Sequence, residues 1–539
     1  MDLSTDLEAV NLYVGSGKGS IMLVPPSPSA QFFTIPSGTD LTQPLDNDRS
    51  CDRFDLVAAE WLLQDVDTML PAISWWALPD LQGSVEPQYV YTCDQNVITS
   101  RGVVEYSIHH DSIFAHEPQP TGAPTPAPIT EFRGTWDAVG EDFIDIGLGT
   151  TVALSDNGRI MALGSPMAIN ADTTSSVTVY RLRNGKWKAY GPVINGDEPG
   201  NGFGQAVSLS ADGHTLAVGA HRHNEGAGAV RVFRMVDKKW VQMGNDMEGL
   251  FAEDSFGVSL DISPDGLIVA AGAHGFDLSV NSGDEETTTL KNAGQVRVFK
   301  FDEIRNEWEL LGLPLTGTGV NDNLGYYTSV TVMDDKDATP VVAAGARGID
   351  GDKDEAGHVR VYWYREGSWQ RMGQALDTTA YNAGTGRVSL AKNGLRLTAG
   401  SVWAAEKAGK VCVYEYDLNG NQWNLLGNPM YGLQPEDQLG HAVDISDDGN
   451  TIAAGAVFHG NQNETNVGQV HVYRYVERQQ EWIKLGSAID GIEENDYWGR
   501  SVSLAANGNR LVGGAYWFNS LSQRGYNGRV RVVDFRPDA

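Results

Sequence analysis

A chain of 539 residues, 41% of them hydrophobic, can bury a large core but is too long for one ordinary compact domain. Seventy acidic residues against 39 Lys and Arg leave a net charge of −31, which argues against nucleic acid or an anionic membrane as partner, since either would repel it. No apolar run is long enough to span a bilayer, so direct membrane insertion is not expected, and 62 glycines suit a turn-rich all-β protein.

Met1 to Val10 are acidic and lack the basic-then-apolar layout of a signal peptide. Residues 1–117 carry no repeat and leave their fold open. Leu56, Ala59, Leu63, Val66 and Leu70 stand at helical spacing and predict a helix over 54–70. Residues 88–108 read as two strands around a polar turn at Cys93, Asp94, Gln95 and Asn96. Cys51 and Cys93 are either a disulfide, implying an oxidising compartment, or two unrelated thiols; spacing leaves both open. From Glu117 to Thr130 five prolines alternate with threonines, a stiff extended spacer that places a linker at 118–130.

From residue 131 to 539 one unit returns seven times. Blade 2 shows it best. Phe203 and Gly204 open an alternating apolar run that turns at Ala211, Asp212 and Gly213; a second run spans 216–220, a third follows Gly228, and Trp240 precedes Gly244 by four residues. Period-2 alternation broken by Gly-rich punctuation predicts four antiparallel strands, A to D, and repetition at this period predicts a propeller. The strand-A glycine recurs at Gly149, Gly204, Gly257, Gly325, Gly386, Gly440 and Gly499. The strand-D tryptophan recurs at Trp136, Trp187, Trp240, Trp308, Trp369, Trp423 and Trp482, each with a glycine four residues on. Trp136 precedes the first strand A, and the last unit stops at strand C. The predicted fold is therefore an all-β, seven-bladed propeller of four-stranded antiparallel blades with 3+1 closure, one strand D having moved to the front.

Loop lengths point to one rim. From tryptophan to the next strand-A glycine the spacing is 17 residues in six blades; between the strand-A and strand-B glycines it is 15 in five, 14 in blade 5 and 20 in blade 4. The B to C connections vary most, and loops of variable length on a rigid scaffold are where binding sites are usually built. The partner is accordingly expected on the B to C rim, with segments 273–293 and 515–527 contributing most. Its anchors would be Phe276, Trp403, Phe458, Tyr516, Trp517, Phe518 and Tyr526, residue types that dominate interfaces. The recurring strand-C cations Arg231, Arg297, Arg360, His471 and Arg531 read as stems laid on the neighbouring sheet and paired with acids at its margin. Asp254, Asp322, Asp437 and Asp496, each three residues before a strand-A glycine, read as turn formers, with Asn201 in the same role. Cys412, in strand C of blade 5, reads as a small buried thiol.

Phe203-Gly204 and Phe256-Gly257, followed about 15 residues later by Gly219-Ala220 and Gly272-Ala273, with Gly345-Ala346, Gly455-Ala456 and Gly514-Ala515 in other blades, resemble FG-GAP repeats. Such repeats build the seven-bladed head of integrin alpha subunits and related extracellular proteins. The resemblance covers about residues 131–536 and implies a ligand-binding or adhesion propeller without catalysis, in an extracellular or secretory-pathway setting. Two features depart from it. The A to B turns, such as Ser155-Asp156-Asn157-Gly158, are too short in carboxylates for the calcium loops of that family, and the proline after Gly-Ala is mostly replaced, as by His221, His274, Arg347, Val457 and Tyr516. A calcium ion would instead find alternating carboxylates at Asp350, Asp352 and Asp354, although a solvated acidic loop is the simpler account of them.

No Gly-x-Ser-x-Gly elbow or phosphate-cradling Gly-Lys-Ser/Thr run is present, and no catalytic residue is expected. The leading expectation is a non-catalytic propeller that recognises a protein partner. A glycan-binding lectin using rim aromatics as sugar platforms is the alternative, and an enzyme with its site at the central channel is the third.

Overall fold

A computed structural model describes residues 129–166, 175–281, 287–347, 357–377, 385–460, 464–518 and 527–538, together with five strands within the first 94 residues. The chain divides into two compact units, Met1–Pro126 and Ala127–Ala539. In the first, an antiparallel sheet is built from Ala9–Val14, Ile21–Val24, Phe33–Thr34, Ser74–Leu78 and Gln88–Asp94. Cys93 and Asp94 end the last of these, opposite Val10 and Ala9, so the first half of the polar turn expected there is strand instead, while Gln95 and Asn96 lie outside the described residues. The helix expected over 54–70 and Cys51 lie outside the described residues, as does the linker up to residue 128.

The second unit is the predicted propeller. Blade 2 consists of Phe203–Leu209, Thr215–Ala220, Ala229–Val236 and Lys239–Gln242 in that spatial order, and a fragment after strand D, Met247–Glu248, pairs back onto strand C. The other blades repeat this arrangement, and the A strands contact one another in sequence until blade 7 meets blade 1. Closure is as expected. Asn527–Pro537 pairs with Gly134–Ala138, setting Phe535 opposite Trp136, so blade 7 joins both ends of the unit. Among the described residues the one helical piece is a short turn at His223–Gly226, and no helix is long and apolar enough to cross a membrane.

Two sevenfold contacts explain why the sequence repeats as it does. At the outer edge each strand-D indole donates its N–H to a carbonyl of the preceding blade. That carbonyl belongs to the residue just before the glycine of the Trp-to-Gly spacing: Trp187 to Val139, Trp240 to Tyr190, Trp308 to Met243, Trp369 to Leu311, Trp423 to Met372 and Trp482 to Leu426, at 2.7–2.9 Å. Trp136 closes the set on Leu485 at 2.8 Å. The glycine leaves room for the ring, since a Cβ on Gly312 would stand 2.9 Å from Trp369. Near the axis, the strand-B glycine lies against the strand-A glycine of the next blade. A Cβ on Gly219 would come within 2.0 Å of the Gly257 carbonyl oxygen, and Gly514 would meet Gly149 in the same way across the closure. Only hydrogen fits in that space.

The channel between these walls is not apolar. Ser208 and Ser329 donate to Asp261 at 2.7 and 3.1 Å, Ser389 donates to Asp444 at 2.8 Å, and the backbone amides of Val330 and Leu504 close onto the same carboxylates. Each bond joins neighbouring blades, so these carboxylates tie the ring together from inside. At the end where strands A turn into B, the turns of blades 3, 2, 1, 7 and 6 form a hydrogen-bonded chain. Ala211 donates to Pro264, Asp156 to Ala211, Ala506 to Asp156 and Asp447 to Ala506 through backbone groups. Lys392 reaches Asp156 at 3.3 Å and Asp447 at 3.0 Å, spanning from blade 5 to blades 1 and 6.

Most of the secondary expectations follow the same logic. Arg231 pairs with Asp197 and Asp246, Arg360 with Asp322, and Arg531 with Asp142, while Arg297 lies 3.9 Å over the Phe256 ring and donates to the Glu248 carbonyl. His471 differs. It is buried, without a hydrogen-bond partner among the described residues, and burial pulls its imidazole down to about 3, so it is a neutral packing residue. Asp254, Asp322, Asp437 and Asp496 do form turns, by accepting amides three or four residues upstream, whereas Asn201 accepts forward from Phe203. Cys412 is buried.

Candidate functional site

Strand A starts, and strand B ends, at the rim opposite the ring of A to B turns. The channel opens there into a cavity of about 800 Å³. Its wall is set by the residues that follow each strand-A glycine and each strand-B Gly-Ala. Around blades 1 to 3 these are small or neutral: Thr150, Gln205 and Val258. Blades 4 to 7 supply Tyr326, Tyr327, Arg347, Arg387, Trp403, His441, Phe458, Tyr497 and Arg500. None of the described residues lining the cavity is Asp or Glu, in a chain with 70 of them.

Local geometry holds the cations in place. Arg347 donates to the Tyr326 hydroxyl at 3.0 Å and lies 5.1 Å from the centre of that ring and 5.6 Å from that of Trp403. His274 stacks on the other neighbour of this group, 4.9 Å from Tyr326. Arg387 donates to the His441 carbonyl and lies 4.9 Å from the Tyr327 ring centre. Its position comes from a deletion: blade 5 is one residue short between its two glycines, so Arg387 stands opposite Gly400, where blade 2 has Ala206 opposite Gly219. Arg500 approaches His441 Nε2 at 3.0 Å. Arginine has no acceptor, so Nε2 accepts and the proton of the neutral ring sits on Nδ1, which is buried and has no partner among the described residues.

The charges act on one another. Burial, reinforced by Arg387, Arg500 and Arg347, holds His441 well below the ordinary imidazole range, and burial with Arg500 and Arg347 lowers the Arg387 guanidinium. His221, on the same rim, is held down to about 4 by burial and by Arg222 and His274. The mouth therefore offers several hydrogen-bond donors, guanidinium groups and aromatic faces.

The anchors predicted from sequence are dispersed. Trp403 and Phe458 do line the mouth, and Phe458 packs edge-on against Tyr497 at 5.6 Å with 38% of its surface exposed. Phe276 does not belong with them. It is 8% exposed, packed in the core between blades 2 and 3 and beside Phe251, because 273–293 is not an open loop: Leu278–Asn281 pairs with Thr287–Leu290, and Phe276 secures the base of that hairpin. Tyr516, Trp517 and Phe518 lie at the end of strand B of blade 7, Arg510–Phe518, with Phe518 opposite Asn527, so segment 515–527 is strand at both ends. Tyr526, Asp350, Asp352 and Asp354 lie outside the described residues. No group of three metal-ligating side chains occurs among the described residues. The carboxylates of the short A to B turns are engaged internally: Asp212 accepts from Ser210 at 2.7 Å and from the His214 amide at 2.8 Å.

No protein-family model and no curated protein matches the chain, so the resemblance to FG-GAP repeats rests on the quoted residues. Solved structures are similar to it at low sequence identity. Hydrazine synthase from Kuenenia stuttgartiensis is 12% identical with a TM-score of 0.45, covering 73% of this chain and 97% of its own. U3-55K is 12% identical with a TM-score of 0.46, covering 74% and 99%. The periplasmic gluconolactonase of Pseudomonas aeruginosa is 16% identical with a TM-score of 0.41, covering 70% and 98%.

Proposed function

We propose that the second unit is a non-catalytic binding propeller whose protein partner docks on the rim where the B to C connections emerge, seated over the channel mouth. The observation that carries this reading is the difference between the two channel ends: one is knitted by turn-to-turn hydrogen bonds and Lys392, and the other is an open cavity walled by Trp403, Phe458, Tyr497 and arginines. Aromatic and Arg side chains around a concavity, here an exposed Phe458 with half-buried Trp403, Tyr497, Arg347 and Arg500, are the composition of interface hot spots. No described residue lining the mouth is a carboxylate and His441 is held neutral, while Asp444, raised to about 6, lies below the mouth with its oxygens taken by Leu504, Ser389 and Ile445; this arrangement supports binding over acid–base chemistry at the mouth. An adhesion role in an extracellular setting, as the FG-GAP resemblance implies, is compatible with this rim but is not needed by it.

A protein and glycan array probed with the full chain identifies the partner class, and Phe458→Ala then locates the contact. The expected outcome is a loss of about 2 kcal/mol or more in binding with little change in melting temperature. Binding that is unaltered in Phe458→Ala and in Trp403→Ala would place the partner elsewhere. Dominant binding to glycans would favour the lectin reading.

A further inference from the structure

We infer that the channel mouth is a small-molecule site for an organic oxyanion, a carboxylate or phosphate borne on an aromatic or apolar body. The inference goes beyond protein docking and does not depend on it. Three observations converge. Arg347 and Arg387 line the cavity, and neither forms an ion pair among the described residues, although eleven other described arginines do. His441 is engaged through Nε2 by Arg500, and its buried Nδ1 has no hydrogen-bond partner among the described residues. And in a chain of net charge −31, no described residue around the cavity is acidic.

A buried cation without a counter-ion is costly, and the lowering of the Arg387 guanidinium by burial, with Arg500 and Arg347 adding to it, shows that the cost is present here. An anion in the mouth would remove it. Guanidinium forks match the two oxygens of a carboxylate or the edge of a phosphate, which a spherical anion does not. The rings of Tyr326, Tyr327 and Trp403 already serve as faces for Arg347 and Arg387 and would continue as a wall for a planar ligand. A cavity of about 800 Å³ is within the range of small-molecule sites, and the channel beneath it is crossed by the Ser–Asp belt, so a ligand enters and leaves by one opening.

Calorimetry on the full chain tests this with benzoate, phenylacetate and phenyl phosphate as probes, benzamide as the neutral counterpart of benzoate, and inorganic phosphate as the anion without a body. The expected result is saturable binding of at least one organic anion, with benzamide and inorganic phosphate about tenfold weaker or worse. Arg347→Gln, at a partly accessible position, should reduce affinity about tenfold or more, whereas Arg222→Gln, the same charge change at an exposed position on the same rim, should leave it within about twofold. Arg387→Gln is a second probe of the site if it folds. Equal binding of benzoate and benzamide, no binding of any organic anion up to millimolar concentration, or equal loss in the two arginine variants overturns the inference. So does binding that appears only after Asp350, Asp352 and Asp354 are all changed to Asn, because the chain's own carboxylates would then be the occupant. A protein partner found on the rim with no anion binding leaves the docking proposal standing alone; anion binding with no partner does the reverse.

Discussion

The wall of the ring and the mouth of its channel are built from the same strands under opposite rules. In the wall, seven indoles meet seven carbonyls and seven glycines meet seven glycines, and any departure from the repeat must be matched by a neighbour. At the mouth, the residue after the strand-A glycine is Thr150, Gln205, Val258, Tyr326, Arg387, His441 or Arg500, and no two blades in succession agree. Positions that pack blade on blade are held uniform by stacking, whereas positions facing the void are free to differ. The cations and aromatic rings of blades 4 to 7 have been placed by that freedom.

The largest effect should come from breaking the wall where it closes. Deleting residues 131–141 removes Trp136 with its bond to Leu485, the ladder from Gly134 to Ala138 and the bridge between Phe132 and Leu485, leaving strand C of blade 7 as a raw edge. Trp136 is half-buried against the core between blades 6 and 7, so its loss costs at most about 3–5 kcal/mol, and the lost ladder adds to it. Scanning calorimetry with light scattering should show a sharply lowered transition and aggregation. Cooperative melting at the parental temperature would contradict closure by this strand.

A smaller effect tests how the wall tolerates a departure. Blade 7 begins with Trp498 where blades 2 and 3 have Phe203 and Phe256, and the strand-B residue beneath it is Gly513 where blade 3 has Ala271. The larger ring is accommodated by the smaller partner: Trp498 is fully buried, and a Cβ on Gly513 would stand 2.7 Å from its six-membered ring. Gly513→Ala should therefore lower stability by about 1–3 kcal/mol through overpacking. Adding Trp498→Phe should recover part of that loss. Additive effects of the two changes in denaturant titrations would show that the fit is coincidental.

The uniform wall was legible in the sequence because repetition is visible without knowing register. Trp136 and Trp482 report the ring and its closure by count and spacing alone. The mouth was not, for three physical reasons. Arg387 follows Gly386 directly, yet its place opposite Gly400 emerges only from the strand pairing. His441 and Arg500 sit in different blades and are brought together by ring geometry rather than by sequence proximity. Phe276, by contrast, was an apolar residue in the longest loop and so looked like an interface anchor; the hairpin that folds the loop back and buries it shows in the sequence only as Ser282-Gly283-Asp284 between two short runs. The one trace that could have led to the site was the 14-residue spacing of blade 5, with an arginine at the shortened point.

Between wall and mouth lies the Ser–Asp belt, and its titration gives the smallest effect with the clearest sign. Asp444 faces the channel, where burial, countered by hydrogen bonds from Leu504, Ser389 and Ile445 and reinforced by Asp261, pushes its carboxyl up to about 6 from the ordinary 3.8. Because the folded value is raised, Asp444 contributes stability that is fully present below about pH 3.8 and is lost as pH rises through about 6. Asp444→Asn keeps an acceptor for Ser389 and Ile445 but loses the second oxygen, which accepts from Leu504. That loss is a constant offset, independent of pH. The removed titration is not constant: the melting temperature of the variant minus that of the parent should rise between about pH 4 and about pH 6 and level off above it. A difference that stays flat across this window would mean that Asp444 titrates as an ordinary carboxylate, and the belt would then be an open, hydrated part of the cavity above it rather than the floor on which that cavity rests.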